Sequence, residues 1–315
     1  MLRYILNRFL VAIPTLFLVT VFVFLLTKLL PGDPLLVLAG EDRDPETIAA
    51  LREQYRMNDP LLFQYGYWLM DVLRGDLGIS LRTGLPVTEL IAQKLPVTIQ
   101  LAVMSMFFAL LVGIPAGVLS AVKKGTPIDY IINVFALSGL SVPNFWLGIM
   151  MILLFAVSLG WLPASGYVEP WHDLGRSLKT MLMPSIVLGT AIAGTLMRHT
   201  RSAMLGVLQA EYVRTARAKG LREGVVVRRH AFRNALLPVV TLSALLFGEL
   251  LAGAVLTEQI FTIPGFGKMI VDAVFTRDYA VVQGVVLVTA TMFILVNLLA
   301  DVLYVVLNPR MRADL

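Results

Sequence analysis

The side chains able to support chemistry are few in this 315-residue chain, and their spacing excludes most enzymatic sites. The three histidines, His172, His199 and His230, stand far apart and form no His-x-x-x-His pair of a zinc site. No cysteine is present, which excludes a disulfide framework and a cysteine nucleophile. No Ser, His and Asp accompany a nucleophile-elbow motif. We therefore expect no catalytic residue and no metal site.

Nucleotide binding is not expected either, because the chain lacks the Gly-x-x-x-x-Gly-Lys-Ser/Thr loop that holds phosphates. The closest sequence, Gly265-Phe-Gly267-Lys268, lacks the upstream glycine spacing and the hydroxyl residue. We expect this chain to bind no cofactor of its own.

An ionisable residue inside an apolar run is rare enough to suggest a role. Glu249 lies in the middle of the fifth such run, where exposing its charge to lipid would cost about 3 kcal/mol. Its carboxylate should therefore face a partner helix or a water-filled path, and a hydrogen-bonded structural carboxylate is an equal alternative. Glu249 and Asn144, which lies in the third run, are the candidates for a translocation pathway.

The elements that carry these residues belong to an integral membrane protein. Hydrophobic residues make up 57% of the chain and charged residues 15%, and the mean hydropathy is +0.79. A soluble domain of this length is far less apolar. The net charge of +5 does not indicate nucleic-acid binding, because no basic module interleaved with aromatic residues accompanies it.

Six apolar runs of membrane-spanning length predict an all-α polytopic membrane protein with six transmembrane helices. The first run is too long for the core of a signal peptide and no cleavage site follows it, so we predict a retained span. Pro143 predicts a bend in the third run. The runs are Phe9–Leu29, Val97–Val122, Tyr130–Leu159, Thr180–Met197, Leu236–Leu256 and Tyr279–Leu307.

The distribution of Lys and Arg predicts that both termini are cytoplasmic. In that orientation the inner side holds fifteen of the 26 basic residues, nine of them between Arg198 and Arg233. Most of the others lie on or beside the long connection after the first span, and long loops count weakly in this rule.

That outer connection, residues 31–95, predicts short helices on the membrane surface. Asp44-Pro45 and Asp59-Pro60 each place a capping residue before a proline, a pattern typical of a helix start. A third short amphipathic helix is predicted from Val87 to Lys94, ahead of the second span. Within the spans, recurring glycines such as Gly117 and Gly194 favour close helix packing over a hinge or a pathway lining.

The charged segment that follows the fourth span predicts a docking surface. Between residues 207 and 221, Leu208, Tyr212 and Ala216 recur at helical steps and form an apolar edge with a basic rim. Gly220 is placed to end this helix. An amphipathic helix of this kind suits a groove on a partner protein.

Motifs spread in order over nearly the whole chain resemble the permease subunits of binding-protein-dependent ATP-binding-cassette importers, in the peptide, glutathione and nickel branch. The long connection after the first span resembles the B-type permease subunit of that branch. The matching motifs are Leu30-Pro-Gly-Asp-Pro34, Gly75-Asp-Leu-Gly-x-Ser80, Leu95-Pro-x-Thr98, Tyr212-Val-Arg-Thr-Ala-Arg-Ala-Lys-Gly-Leu221, Arg233-Asn-Ala-Leu-Leu-Pro-Val239, Phe261-x-x-Pro-Gly-x-Gly267, Arg277-Asp-Tyr279, Asp301-Val-Leu-Tyr304 and Asn308-Pro-Arg310.

The resemblance implies the type I importer permease fold and a division of the chain into four parts. A first transmembrane helix (1–30) and an extracytoplasmic segment (31–95) precede the permease core (96–307) and a cytoplasmic tail (308–315). Within the core, residues 205–235 would form a cytoplasmic loop, the coupling segment, whose helix seats in an ATPase subunit. The contacts would come from Glu211, Arg214, Thr215, Ala216, Arg217 and Gly220.

The coupling segment departs from the wider family, which carries a Glu-Ala-Ala…Gly signature here. Counting back from Gly220, Arg214 occupies the Glu position, Thr215 follows it, and Ala216 matches. Glu211 is a candidate to supply the missing carboxylate.

The resemblance further implies a transport subunit of a complex in the bacterial inner membrane. Its expected partners are a second, C-type permease subunit, two ATPase subunits that bind ATP and Mg²⁺, an extracytoplasmic peptide-binding protein and membrane lipid, and no nucleic acid. Short peptides are the first expectation for the substrate, then glutathione. Nickel comes last, because no His or Met cluster lines a span.

Two other classes stay open at this stage. An ion-coupled secondary transporter predicts paired ionisable residues at membrane depth and an inverted repeat, whereas the sequence has one mid-span carboxylate and no obvious repeat. A membrane-bound scaffold would act without moving a substrate.

Overall fold

The computed structural model describes residues 2–29, 44–54 and 56–307, and the regular elements in these ranges are helices joined by turns and loops. Within these ranges the only β contact is a single bridge between Ile79 and Pro86. The helices are α1 (Leu2–Leu29), α2 (Pro45–Gln54), α3 (Leu61–Leu73), α4 (Val87–Val122), α5 (Pro127–Ser141), α6 (Asn144–Met151), α7 (Leu174–Leu208), α8 (Glu211–Ala218), α9 (Glu223–Val225), α10 (Phe232–Gly253), α11 (Val255–Ile260), α12 (Phe266–Thr276) and α13 (Tyr279–Leu307). Two π-helical stretches, Ile152–Ser158 and Val226–Ala231, extend α6 and join α9 to α10.

Five stretches of the described chain are long and apolar enough to cross a membrane, and the bent pair of α5 and α6 makes a sixth if it is one span. The pair bends by 100° after Val142, whose backbone is extended at φ −79° and ψ 124°. Proline disfavours helical backbone in the residue before it, so Pro143 places the bend where it is predicted. The all-α polytopic fold is confirmed.

Two predicted helix boundaries are wrong. The short helix predicted from Val87 to Lys94 begins at Val87 as predicted, but it does not end at Lys94, because α4 continues through Pro96 into the second span. A proline removes one backbone hydrogen bond, and a helix among packed neighbours tolerates that loss. Similarly, α7 begins before the predicted Thr180, since the Asp173 carboxylate accepts a hydrogen bond from the Arg176 amide at 2.9 Å and caps it.

The described residues form two compact units, one built on Ile99–Ile263 and the other on Asn7–Thr98 with Pro264–Ile294. In the first unit α7 is the central helix. About three quarters of its most apolar part, 72%, is buried, and it packs against α5, α6, α10 and α11.

Glycines let α4 and α5 approach α7 closely. A methyl group added at Gly117 would lie 2.6 Å from the carbonyl oxygen of Met197, and one at Gly194 would lie 2.7 Å from that of Ala136. These distances are shorter than carbon–oxygen contacts in proteins, so no side chain fits at either position. The same close approach occurs at Gly113 and Gly189. Helix packing is therefore confirmed as the role of these glycines.

In the second unit, the buried carboxylate of Asp278, which precedes α13, hydrogen-bonds to residues that are distant in the sequence. It accepts hydrogen bonds from the Ser80 hydroxyl at 2.5 Å and from the Leu81 amide at 3.3 Å. The Val281 amide adds a third at 3.4 Å and starts α13. An apolar cluster also holds this unit together, with Val87, Ile91, Phe266, Ala273, Val281, Val282 and Val285 as its buried members.

The short helices predicted in the connection after the first span are confirmed for α2 and α3. Pro60 itself is the N-cap of α3, and no side chain caps this helix. The rings of Tyr65 on α3 and Phe24 on α1 meet edge to face with their centroids 5.5 Å apart, and the Tyr65 hydroxyl shares a hydrogen bond of 2.8 Å with Thr20. These contacts hold α3 against the first span.

We expect Gly117→Ala to destabilise the protein by about 1–3 kcal/mol, because the added methyl group forces α4 away from α7. Gly206→Ala is the matched control, since Gly206 lies on α7 with no atom within 4 Å of the added carbon. Thermal unfolding of the purified protein in detergent measures both. Equal melting temperatures for the two variants would contradict the packing role of Gly117.

Candidate functional site

The helix of the coupling segment, α8, is defined by local signals at both ends. α7 ends at Leu208, and Ala210 adopts extended backbone at φ −68° and ψ 145° before α8 begins at Glu211. Glu211 in the first turn and Arg217 in the last turn complement the helix dipole.

The C-terminus of α8 is closed by Gly220, as predicted. Gly220 has a left-handed φ of +75°, and its amide donates to the Arg217 carbonyl at 2.9 Å while the Leu221 amide donates to the Ala216 carbonyl at 3.4 Å. This pair of hydrogen bonds is the Schellman arrangement, which favours glycine at the left-handed position.

One face of α8 is buried against the rest of the coupling segment. Val213 and Ala216 pack with Val226, and Val207 at the end of α7 covers them. We call this cluster the α8 seat. The apolar edge predicted through Tyr212 is wrong, because Tyr212 is 44% exposed and its neighbour Val213 is fully buried. The prediction assumes one continuous helix across residues 207–221. The extended backbone at Ala210 interrupts that helix, so different residues of α8 face inward.

The opposite face of α8 is exposed, and it carries most of the residues predicted to contact a partner. Five of the six predicted contact residues are exposed, namely Glu211, Arg214, Thr215, Arg217 and Gly220. The sixth, Ala216, belongs to the α8 seat, so it supports the docking face from beneath. The contact role of the whole set stays a prediction.

Polar contacts tie α8 to residues 221–238, which lead back to the membrane-spanning helices and which we call the return segment. The Arg217 guanidinium donates to both carboxylate oxygens of Glu223, at 2.7 and 3.1 Å, and this bond raises the pKa of Arg217 above its ordinary value. The Asn234 amide donates to the Tyr212 hydroxyl at 2.8 Å. Arg214 pairs with Glu211 at 2.9 Å, but both side chains are largely exposed and the pair contributes little stability.

Beneath the α8 seat, a second apolar cluster joins the return segment to α4 and α7. Its buried members are Ala121 on α4, Met204 on α7, Ala231 at the end of the π-helical stretch and Ala235 in the first turn of α10. The coupling segment is therefore packed onto the ends of two long helices.

Basic side chains without an acidic neighbour border the docking face. Arg222, Arg228 and Arg229 line an open depression of about 530 Å³, and no carboxylate in the described parts of the chain pairs with them. A partner surface with acidic groups at its rim would match this charge.

The two pathway candidates lie apart from α8. Asn144 begins α6 directly after the bend and is half-buried, and Glu249 on α10 is exposed between buried Gly248 and Leu250. Neither side chain makes a hydrogen bond or ion pair with another described residue. Their pathway role stays a prediction. Nowhere in the described ranges do three His, Asp or Glu side chains group as a metal site would require.

A buried polar cluster in the first unit was not expected from the sequence. It centres on Asp129, which is 3% exposed and pairs with Arg201 at 2.9 Å. The signal available was Arg201, which follows Arg198 and His199 at the end of the fourth apolar run, since a charge that is drawn into a helix bundle needs a partner nearby.

Comparison with known proteins gives a consistent result over the whole chain. Residues 113–313 match the family described as binding-protein-dependent transport system inner membrane component, and residues 1–102 match the N-terminal region of such membrane components. The dipeptide transport system permease protein DppB of Escherichia coli K12 is 44% identical over 336 residues, covering 99% of each chain. DppB of Alkalihalophilus pseudofirmus is 42% identical and covers 99% of this chain and 100% of its own length.

A further relative and a solved structure are similar to this chain in sequence and in fold, respectively. A putative peptide transport system permease protein of Brucella abortus is 43% identical over 98% of this chain and 99% of its own length. Among solved structures, an inward-facing form of the MetNI methionine ABC transporter superposes with a TM-score of 0.57 over 70% of this chain and 96% of the other, at 19% identity. At that identity the superposition supports the fold.

We expect Gly220→Ala to loosen the C-terminal turn of α8, because a left-handed backbone costs a residue with a β-carbon about 1–2 kcal/mol. Amides 218–221 should then exchange hydrogen several-fold faster. Gly224→Ala is the matched control, since Gly224 lies in α9 with open space around it and no left-handed φ. Identical exchange rates in the two variants would contradict the role given to Gly220.

Proposed function

Because the chain belongs to the family of inner-membrane components of binding-protein-dependent transport systems, we propose that it is the B-type permease subunit of an ATP-driven peptide importer. The observation that carries this proposal is the identity of 42–44% with dipeptide permeases over nearly the full length of both chains. The motif resemblance in the sequence points to the same family, and that family assignment is confirmed.

The proposal includes a division of labour between subunits. This chain supplies membrane-spanning helices and a docking helix, while ATP and Mg²⁺ bind to two separate ATPase subunits. α8 presents Arg214, Thr215 and Arg217 to a cleft of one ATPase subunit, and the α8 seat prevents the helix from sliding against its own chain. Closure of the ATPase subunits on ATP then moves α8 together with the inner ends of α4 and α7.

The translocation pathway is formed with a second permease subunit. Glu249 and Asn144 are proposed to line it, because a mid-span carboxylate exposed on one subunit needs a polar or water-filled environment in the complex. A carboxylate there also complements the ammonium group of a peptide N-terminus. An extracytoplasmic binding protein delivers the substrate, with dipeptides and oligopeptides as the proposed class and glutathione as the next candidate.

The orientation completes the proposal. Both termini and the coupling segment face the cytoplasm, since nine basic residues lie between Arg198 and Arg233. α2 and α3 then lie on the outer side, where the tyrosine and tryptophan of α3 suit the lipid–water boundary.

Uptake of a labelled dipeptide by proteoliposomes tests the proposed function. The vesicles contain this chain, the second permease subunit and both ATPase subunits, with binding protein outside. We expect uptake only with ATP on the side of the ATPase subunits, because α8 receives its motion from them. Uptake driven by an ion gradient without ATP would contradict the proposal and favour an ion-coupled secondary transporter.

The docking face is tested separately by reversing one charge. We expect Arg214→Glu to weaken ATPase binding by about 2 kcal/mol, more than tenfold, because it places a negative charge in the exposed contact face beside Glu211. Arg176→Glu is the matched control, since Arg176 is exposed at the opposite end of α7.

The measurement is the fraction of ATPase subunits that co-purify with a tagged permease. Equal retention by the Arg214→Glu and Arg176→Glu complexes would contradict the docking role of α8.

A further inference from the structure

A buried polar cluster joins the ends of α4, α5 and α7 that lie nearest to the coupling segment. The Asp129 carboxylate, at the start of α5, accepts hydrogen bonds from the Ser120 hydroxyl of α4, from Asn133 Nδ2 at 2.7 Å and from the Gly125 amide at 3.0 Å. Arg201 of α7 donates to the same carboxylate through Nε at 3.0 Å and Nη2 at 2.9 Å. We call Ser120, Asp129, Asn133 and Arg201 the Asp129 cluster.

The geometry of this cluster resists sliding between helices. The guanidinium meets the carboxylate with two parallel hydrogen bonds, and such a fork fixes both distance and orientation. Arg201 Nε also donates to Ser120 Oγ at 2.9 Å, so the same nitrogen contacts α4 as well as α5. A lysine at this position would keep the charge but lose the fork.

The Asp129 cluster lies one helical turn from the packing beneath the coupling segment. Ser120 precedes Ala121, and Arg201 precedes Met204 by three residues. Ala121 and Met204 belong to one buried cluster with Ala231, the last residue before α10, and with Ala235. The α8 seat lies directly beyond, where Val226 precedes Ala231 in the same π-helical stretch. A continuous set of buried contacts therefore runs from α8 to the start of α5.

The other end of α5 is the bend at Val142 and Pro143. α6 follows the bend at Asn144, and it packs closely on α11, where a methyl group added at Gly148 would lie 3.3 Å from the ring of Phe261. A displacement of the start of α5 would therefore reach the bend and the pathway candidate Asn144.

We propose that the Asp129–Arg201 pair is a positioning element for transport, which makes α5 follow α8 when the ATPase subunits move. The proposal rests on the function proposed above. It assigns to Asp129 and Arg201 no contact with substrate, ATPase or nucleotide. The alternative is that the Asp129–Arg201 pair only stabilises the fold. The test therefore measures stability and coupling separately.

Three variants make that separation possible. Asp129→Asn leaves the half-buried Arg201 without its counter-charge and reports the combined effect on stability and coupling. The double variant Asp129→Asn with Arg201→Met removes both charges, which should restore the stability lost in the single variant. Arg201→Lys retains a positive charge without the fork. Arg176→Glu, which changes an exposed residue at the far end of α7, is the control.

The first measurement is the number of dipeptides taken up per ATP hydrolysed by assembled complexes in proteoliposomes. We expect this ratio to fall about tenfold in the double variant, which melts at the wild-type temperature, and to fall less in Arg201→Lys. Wild-type ratios in a stable double variant would overturn the proposal. Absence of ATP-driven uptake in the wild-type complex would instead refute the proposed function.

A second measurement does not depend on the substrate. Because the chain contains no cysteine, spin labels at Ala218→Cys on α8 and Tyr130→Cys on α5 are the only labels on this chain. Both residues are exposed, and neither is among the predicted contacts with an ATPase subunit. We expect the distance between the labels to stay constant on ATP binding in the wild-type background and to change in the double variant. A distance that changes equally in both backgrounds would overturn the proposal.

Discussion

The packing of Val213 and Ala216 against Val226 is the contact on which the coupling segment depends. α8 has only eight residues, and a helix this short does not persist alone in water. The half-exposed pair of Arg217 and Glu223 adds little by itself. The apolar seat and the Gly220 turn must therefore hold α8, and they leave its charged face free to meet a partner.

The same principle of close contact extends from the seat into the membrane-spanning helices. Small side chains, Ala121, Ala231 and Ala235, lie where the return segment meets α4 and α7. Farther along α7, glycines replace side chains altogether, and α4 and α5 approach its backbone directly. Tightly packed helices move as bodies and do not deform continuously. A short docking helix can in this way displace helices several times its own length.

Charge is used sparingly and in two different ways. At the surface of the coupling segment, arginines without acidic partners in the described chain offer charge to another protein. In the interior, Asp129 and Arg201 satisfy one another with help from Ser120 and Asn133. A pair of this kind fixes the relative position of two helices more than it adds stability, because the desolvation of its charges offsets much of their attraction.

The sequence predicts the helices well where a local signal decides them. The bend at Pro143, the start of α3 near Pro60 and the end of α8 at Gly220 all follow from backbone preferences of single residues. Prediction from the sequence fails where the inward face of a helix depends on an interruption before it, or where a contact depends on a residue far away in the chain. Tyr212 is assigned to the wrong face because the helix is interrupted at Ala210 and begins again at Glu211. The Asp129–Arg201 pair is missed because its residues are 72 positions apart. The pathway role proposed for Glu249 depends on a second subunit, which no local pattern in this chain describes.

The central claim is that α8 carries the motion of an ATPase subunit into this chain, and site-specific cross-linking tests it most directly. Thr215→Cys places the only thiol of the chain on the exposed face of α8, and Trp161→Cys places one on an exposed residue beyond the end of the third span. A short bifunctional reagent applied to the assembled complex should join Thr215→Cys to an ATPase subunit and leave Trp161→Cys unjoined. Absence of the Thr215→Cys product, or an equal product from Trp161→Cys, would contradict the account.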